Sequence, residues 1–388
     1  MTQNLRHAAG SLLVVGLGAT ELTGLERAWL KLVCPAGIIL FRRNIADAQQ
    51  TRALLAASTA LCAPNSLRCV DLEGGTVDRL RDALAPMPSA QSVAFASRRK
   101  ATLPREHGEL VARAVSAFGF NSTLAPVLDL SLPTSAKVMG TRAVAPSPAG
   151  VVAYACEFLA GLAAHGVAGC GKHFPGLGGG TLDSHLETPA IRRTLRELNR
   201  EDLIPYRELR GELPMVMINH AAYPKTPGKD RPASVSKFWI TTVLRERIGY
   251  RGLVFSDDLE MGGILKFLPI EEAAVQAIRA GMDLIEICHN PELILRAYEA
   301  LIAEAERSAT FRDLLIARAK QSAWKRAKLF AVGSSRPITA KQLDACGRRS
   351  CASANPSTRP NRPERVCNYE HQVHDRGRHH ERHFGRWH

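Results

Sequence analysis

Short, uninterrupted apolar runs alternate with amphipathic stretches from the start of the chain to about residue 330. The runs are SLLVVGL (11–17), GIILF (37–41), LRCVDL (67–72), STLAPVLDL (122–130), GVAGCGK (166–172), PMVMIN (214–219), GLVFS (252–256) and DLIEIC (283–288). Because their apolar residues are consecutive, they predict strands buried on both faces, as in a parallel sheet. Between them, DAQQTRALLAAST, PAGVVAYACEFLAGLAAHG, TLRELNREDLIPYREL, SKFWITTVLRERI and IEEAAVQAIRAG carry apolar residues at helical spacing. Eight strand–helix units predict an α/β fold, a (β/α)8 TIM-type barrel in a single domain. The rival is a doubly wound open sheet, which would usually place a glycine-rich phosphate turn after the first strand. GLGAT lacks the third glycine of that turn.

The polar residues just past each strand narrow the choice further, since the loops at the C-terminal strand ends of such barrels form their active sites. Strand two runs into Arg42, Arg43 and Asn44; strand three into Asp71 and Glu73; strand four ends at Asp129. Strand five reaches Lys172 and His173, strand six Asn219 and His220, strand seven Ser256, Asp257 and Asp258, and strand eight His289. One polar strand end carries no information, but convergence of this many charged and imidazole groups predicts a polar pocket and an enzyme.

Composition agrees with a globular chain: 388 residues, 45% hydrophobic and 23% charged. A net charge of +14 raises nucleic acid as a partner, but a large share of the surplus, about a third, lies from Lys341 onward and the rest is scattered over helix faces. Nucleic-acid binding is therefore not expected. Residues 334–388 are Arg/His-rich without apolar periodicity, so the barrel is assigned to 1–333 and the rest to a disordered tail. Nine cysteines stand singly with no CxxC pair, which points to a reducing, cytoplasmic setting. SLLVVGLG reads as a first buried strand rather than a signal peptide, and no run reaches membrane-spanning length. No membrane partner is expected, and a monomer is favoured.

The stretch KHFPGLGGGTLDSH (172–185) raises three chemistries. Zinc could draw on Asp183, His185, His173 and His220, yet a glycine-rich loop makes a poor rigid cage, so no metal or other cofactor is expected. A phosphate cradle would need a Lys at P-loop spacing after GLGGGT, and there is none. Acid–base work remains: Asp183 can orient His185 as a dyad titrating near neutrality, with the glycines as hinge residues. FSDDLEM sets two carboxylates just past a buried strand, where either a nucleophile or a helix N-cap belongs. Asp71 and Arg79 of VDLEGGTVDRLR can clamp hydroxyls, and Lys172 and His173 can add donors. Glu286, charged inside strand eight, either faces the barrel mouth or pairs with a Lys or Arg.

Taken together, GIILFRRNI, VDLEGGTVDRL, LAPVLDL, KHFPGLGGGTLDSH, MINHAAYP, RPASVS and GLVFSDDLEM resemble glycoside hydrolase family 3. The similarity runs from about residue 10 to 330 and points to the single-domain β-N-acetylhexosaminidase branch of bacterial peptidoglycan recycling. The resemblance implies that Asp257 is the nucleophile and His185, paired with Asp183, the acid/base. It implies sugar contacts from Asp71, Arg79, Arg142 of VMGTR, Lys172 and His173, with His220 at the same rim. Two-domain members often draw the acid/base from a second domain. None is expected after residue 334, which leaves DSH in the barrel's own loops. The implied reaction is retaining hydrolysis of terminal β-linked N-acetylglucosamine from muropeptides or other small glycosides.

Alternatives are a β-glucosidase-type activity or phosphorolysis on the same site and, in another class, an inactive sugar-binding protein. Two departures bear on substrate rather than reaction. Leu177, Gly179 and Gly180 stand where the family often has His, Asp and Thr, and Leu72 and Thr76 alter the VDQEGGRV pattern.

Overall fold

The computed structural model describes residues 2–180 and 189–331. Each predicted apolar run supplies a strand: β1 (Leu13–Gly16), β2 (Gly37–Leu40), β3 (Leu67–Val70), β6 (Ser122–Thr123), β7 (Ala168–Phe174), β8 (Met215–Ile218), β9 (Leu253–Asp258) and β10 (Leu284–Ile287). A small antiparallel pair, β4 (Leu72–Gly74) and β5 (Val77–Asp78), comes directly after β3. The eight parallel strands close in the order β1-β10-β9-β8-β7-β6-β3-β2. Val14 pairs with Gly37 on one side and Glu286 on the other, completing the ring.

The consecutive apolar residues serve two cores. Val14, Ile39, Cys69, Cys170, Met217, Phe255 and Cys288 fill the barrel interior. Their neighbours Val15, Ile38, Leu40, Val70, Val216, Val254 and Ile285 pack outward beneath the helices. Alternation therefore exists in direction but not in polarity, as expected of strands covered on both sides.

Two predicted elements are shorter than their patterns. STLAPVLDL is strand only at Ser122–Thr123, because Pro126 has no amide to donate. Its carbonyl still accepts from Lys172 N, and Val127 makes an isolated bridge to Lys172. TLRELNREDLIPYREL splits into helices Leu195–Arg200 and Leu203–Glu208. Pro205 is tolerated in the first turn of the second helix but would break a continuous one. The assigned boundary at 333/334 and the tail beyond it lie outside the described residues. Among those described, no helix is long and apolar enough to cross a membrane.

The helix Ala309–Leu329 closes the N-terminal end of the barrel. Arg326, fully buried, donates to the carbonyls of Ala36, Pro64 and Asn65. Beside it, Asp283 accepts from Lys325 Nζ at 2.8 Å, Arg245 Nη2 at 2.5 Å and Val254 N at 2.8 Å. Burial pushes the Asp283 carboxyl up, but Arg245 and Lys325 hold it below its ordinary range. Asp283→Ala leaves these cations buried without their anion, a loss worth about 3–5 kcal/mol. Urea denaturation should show that loss with kcat unchanged in the folded fraction, since chemistry belongs to the opposite face. A wild-type-like midpoint would refute it.

Candidate active site

At the C-terminal strand ends a cavity of about 560 Å³ opens. Asp71, Arg79, Arg142, Lys172, His173 and Asp257 all line it. A larger groove of about 860 Å³ runs past Phe95, Arg98 and Glu157, but no set of carboxylates converges there. Chemistry rather than volume identifies the site.

One wall is a buried ion network. Lys172, at the end of β7, places Nζ 2.8 Å from Asp71 Oδ1 and 2.6 Å from Glu73 Oε1. Arg142 clamps Glu73 with two bonds, Nε to Oε2 at 2.7 Å and Nη2 to Oε1 at 2.8 Å. Arg79 Nη2 lies 3.5 Å from Asp71 Oδ2, its guanidinium stacked over the Phe41 ring. Burial pushes both carboxyls up. Lys172 with Arg79 at Asp71, and Arg142 with Lys172 at Glu73, nevertheless hold them below the ordinary carboxylate range. Conversely, burial disfavours the Lys172 ammonium, but Asp71 and Glu73 raise its pKa above the usual lysine value. The β4–β5 turn brings Glu73 and Arg79 inward. Gly74 makes this possible at φ +85°, where an added Cβ would meet Pro88 O at 2.0 Å.

His173 links this wall to Asp129. Its Nδ1 lies 2.6 Å from Asp129 Oδ2, and Arg142 Nη2 lies 3.2 Å from its Nε2. Arginine can only donate, so Nε2 accepts and Nδ1 carries the proton that Asp129 receives. Asp129 Oδ1 also accepts from Leu177 N at 2.6 Å, tying the start of the glycine-rich loop to the same carboxylate.

The opposite wall holds the Asp257–Asp258 pair from β9. Asp257, half-buried, faces the cavity, and its Oδ1 accepts from Asp258 N at 3.0 Å. Asp258 caps the turn beyond it, accepting from Glu260 N at 3.0 Å. Burial, followed by nearby Glu260 and Asp257, pushes the Asp258 carboxyl up to about 7. Both aspartates line the cavity, but in different settings: Asp258 caps the turn with its carboxyl pushed up, while Asp257 accepts from the Asp258 amide.

His220 is placed differently from the other predicted residues. It is fully buried behind β9, not on the cavity lining. Its Nε2 donates to Asp258 O at 2.9 Å, and Nδ1 lies 2.7 Å from Ser234 Oγ. Through the bond to Asp258 O it grips the backbone of the SDD segment. Asp183 and His185 lie outside the described residues. Leading toward them, Gly176 takes φ +132° against Asp202, where a Cβ would meet the Asp202 side chain at 2.7 Å. Leu177 is buried and lines the cavity. In this part of the loop, the glycine read as a hinge instead permits close packing.

The sequence reading did not place Glu73 and Asp129 among the site residues, although both are polar strand-end residues that hold cavity side chains. Glu286 lines the cavity, and no ion pair with a Lys or Arg forms among the described residues. Asp258, Cys288 and His289 bring ligand atoms within 4.8 Å of one another. Arg43 Nη1 donates to His289 Nδ1 at 2.8 Å, which leaves the imidazole proton on Nε2, facing Asp258 at 3.7 Å.

Comparison with known proteins fits this geometry. The family model for the glycosyl hydrolase family 3 N terminal domain matches residues 5–315. A beta-hexosaminidase of Stenotrophomonas maltophilia (strain R551-3) is 35% identical over 309 residues, covering 78% of this chain and 91% of that one. The solved structure of a family 3 beta-N-acetylglucosaminidase from Paenibacillus sp. str. FPU-7 superposes with a TM-score of 0.77 at 31% identity, covering 89% of this chain and 68% of that one. Native NagZ from Neisseria gonorrhoeae gives a TM-score of 0.68 at 31% identity over 80% of this chain and 98% of its own.

Proposed function

Since the chain belongs to glycosyl hydrolase family 3 and is thereby a glycoside hydrolase, we propose that it is a retaining exo-enzyme. It removes terminal β-linked N-acetylglucosamine from small glycosides, muropeptide fragments of peptidoglycan recycling among them. One observation carries this reading: Asp257 faces, across a single cavity, the Lys172–Asp71–Glu73–Arg142 network. That network offers fixed donors and acceptors at one wall, as a sugar's hydroxyls require, while the carboxylate opposite can reach the anomeric carbon.

Asp257 attacks that carbon as nucleophile, and the glycosyl–enzyme ester forms as the leaving oxygen takes a proton from His185. Asp183 orients the imidazole and stabilises its charged form. In the second half the neutral imidazole removes a proton from water, which displaces Asp257. Asp71, Arg79, Arg142, Lys172 and His173 hold the sugar, and His220 steadies the segment bearing the nucleophile. The carbohydrate is the expected partner, the enzyme acting as a monomer in the cytoplasm.

Turnover of an aryl β-N-acetylglucosaminide is expected to exceed that of the matching β-glucoside. His185→Ala should lower kcat about 10²- to 10⁴-fold, the range of general acid–base catalysis. With an activated aryl leaving group, its loss should fall mainly on deglycosylation and be partly restored by azide. Preference for the glucoside would remove the N-acetylglucosaminidase assignment, and an unaffected His185→Ala would remove the dyad.

A further inference from the structure

Side-chain direction alternates along β10, and Leu284 and Cys288 both point into the barrel interior. Glu286 shares that parity. It is 3% exposed, lines the cavity, and is paired in register with Asp258 on β9 and Val14 on β1. Its amide donates to Ser256 Oγ at 2.9 Å, which fixes the backbone beneath it. Cys288 Sγ lies 3.0 Å from Oε1, whereas the buried Oε2 has no hydrogen-bond partner among the described residues.

The groups facing it make an anion costly there. Asp257 and Asp258 approach from β9, Asp71 from beyond β3, and the thiols of Cys69, Cys170 and Cys288 from β3, β7 and its own strand. The cavity's cations are engaged elsewhere. Lys172, Arg142 and Arg79 serve Asp71 and Glu73, Arg42 pairs with Asp82, and Arg43 donates to the carbonyls of Leu17 and Cys288 and to His289 Nδ1. A buried carboxyl without a counter-ion keeps its proton. Such an acid has an O–H to give, and the neighbouring protein leaves Oε2 without an acceptor.

We propose that Glu286 is a specificity-determining residue that donates a hydrogen bond through Oε2 to an oxygen of the bound sugar. This role rests on the glycosidase function proposed for the cavity and supplies a donor on the otherwise acidic wall beside Asp257. Burial, then Asp258, Asp71 and Asp257, push the carboxyl well above its ordinary range, which favours the donor form. It is lost as pH rises through that elevated value, when an anion replaces the O–H.

The test compares kcat and KM across pH for wild type, Glu286→Leu and Glu286→Gln, using aryl β-N-acetylglucosaminide and aryl β-glucoside. Glu286→Leu should raise KM about 3- to 10-fold with a smaller change in kcat, as expected for a lost hydrogen bond. Glu286→Gln, which retains a neutral donor, should recover most of that loss and abolish the alkaline rise in KM expected of wild type. A KM effect confined to the N-acetylglucosaminide assigns the acceptor to the acetamido group, and an effect on both assigns it to a ring hydroxyl. Wild-type KM in Glu286→Leu, or Glu286→Gln as impaired as Glu286→Leu, overturns the proposal. Failure of wild type itself to cleave either glycoside would instead defeat the glycosidase reading.

Discussion

Replacing Asp257 with Asn is expected to lower kcat/KM by about 10⁴-fold or more, the scale of loss when a covalent nucleophile is removed. The amide is nearly isosteric, and its Oδ1 can keep the bond from Asp258 N seen at 3.0 Å. The fold should therefore be preserved and the loss should fall on chemistry. A 5-fluoro glycosyl donor should add the mass of one sugar to intact wild type and none to the variant. Residual activity above a tenth of wild type, or labelling of the variant, would remove Asp257 from the role. Asp258→Asn is the informative contrast. Asp258 caps the turn and retains its proton up to about 7, so its variant should lose far less activity.

Lys172→Met carries the second large effect, and it falls on stability and binding together. The ammonium is 3% exposed and lies between Asp71 and Glu73. Without it Arg142 still serves Glu73, but Asp71 keeps only Arg79 at 3.5 Å. Breaking a buried pair in this way costs about 3–5 kcal/mol. The pH dependence has a definite sign. Asp71 and Glu73 are held below the ordinary carboxylate range despite burial, so in wild type their stabilisation is present at neutral pH. It is lost as pH falls through their depressed folded-state values. Lys172→Met should therefore be most impaired at neutral pH, and its stability should fall less steeply on acidification. Urea denaturation at several pH values reads this directly. Parallel stability curves for the two proteins would show that the lysine does not hold those carboxylates.

The barrel was legible because burial on both faces leaves an unbroken apolar signature, and strand-end chemistry exposed most of the cavity. Asp71, Arg79, Lys172, His173 and Asp257 line one cavity, joined by Arg142, to which only the family resemblance pointed. Supporting residues were harder to read because their partners are remote in sequence: Glu73 meets Arg142 69 positions away, and Asp129 meets His173 44 away. His220 shows the converse limit. A histidine at a strand end has the composition of a ligand contact, but its direction is set by Ser234 and the Asp258 carbonyl. For Asp257 and Asp258, adjacency in sequence concealed a division of labour that only the turn geometry separates. The glycine-rich stretch carried a different ambiguity. Composition reads as a hinge, whereas at Gly176 the deciding factor is Asp202, 26 residues further on.

Backbone bonds also fix the posts on either side of residues 181–188. Gly180 N donates to Leu177 O at 2.9 Å, while Ile191 N donates to Ala222 O and Ala222 N to Pro189 O, each at 2.8 Å. The post after the segment thus hangs on Ala222, just beyond β8, so the barrel wall and not the loop's own chain sets where the segment rejoins the fold.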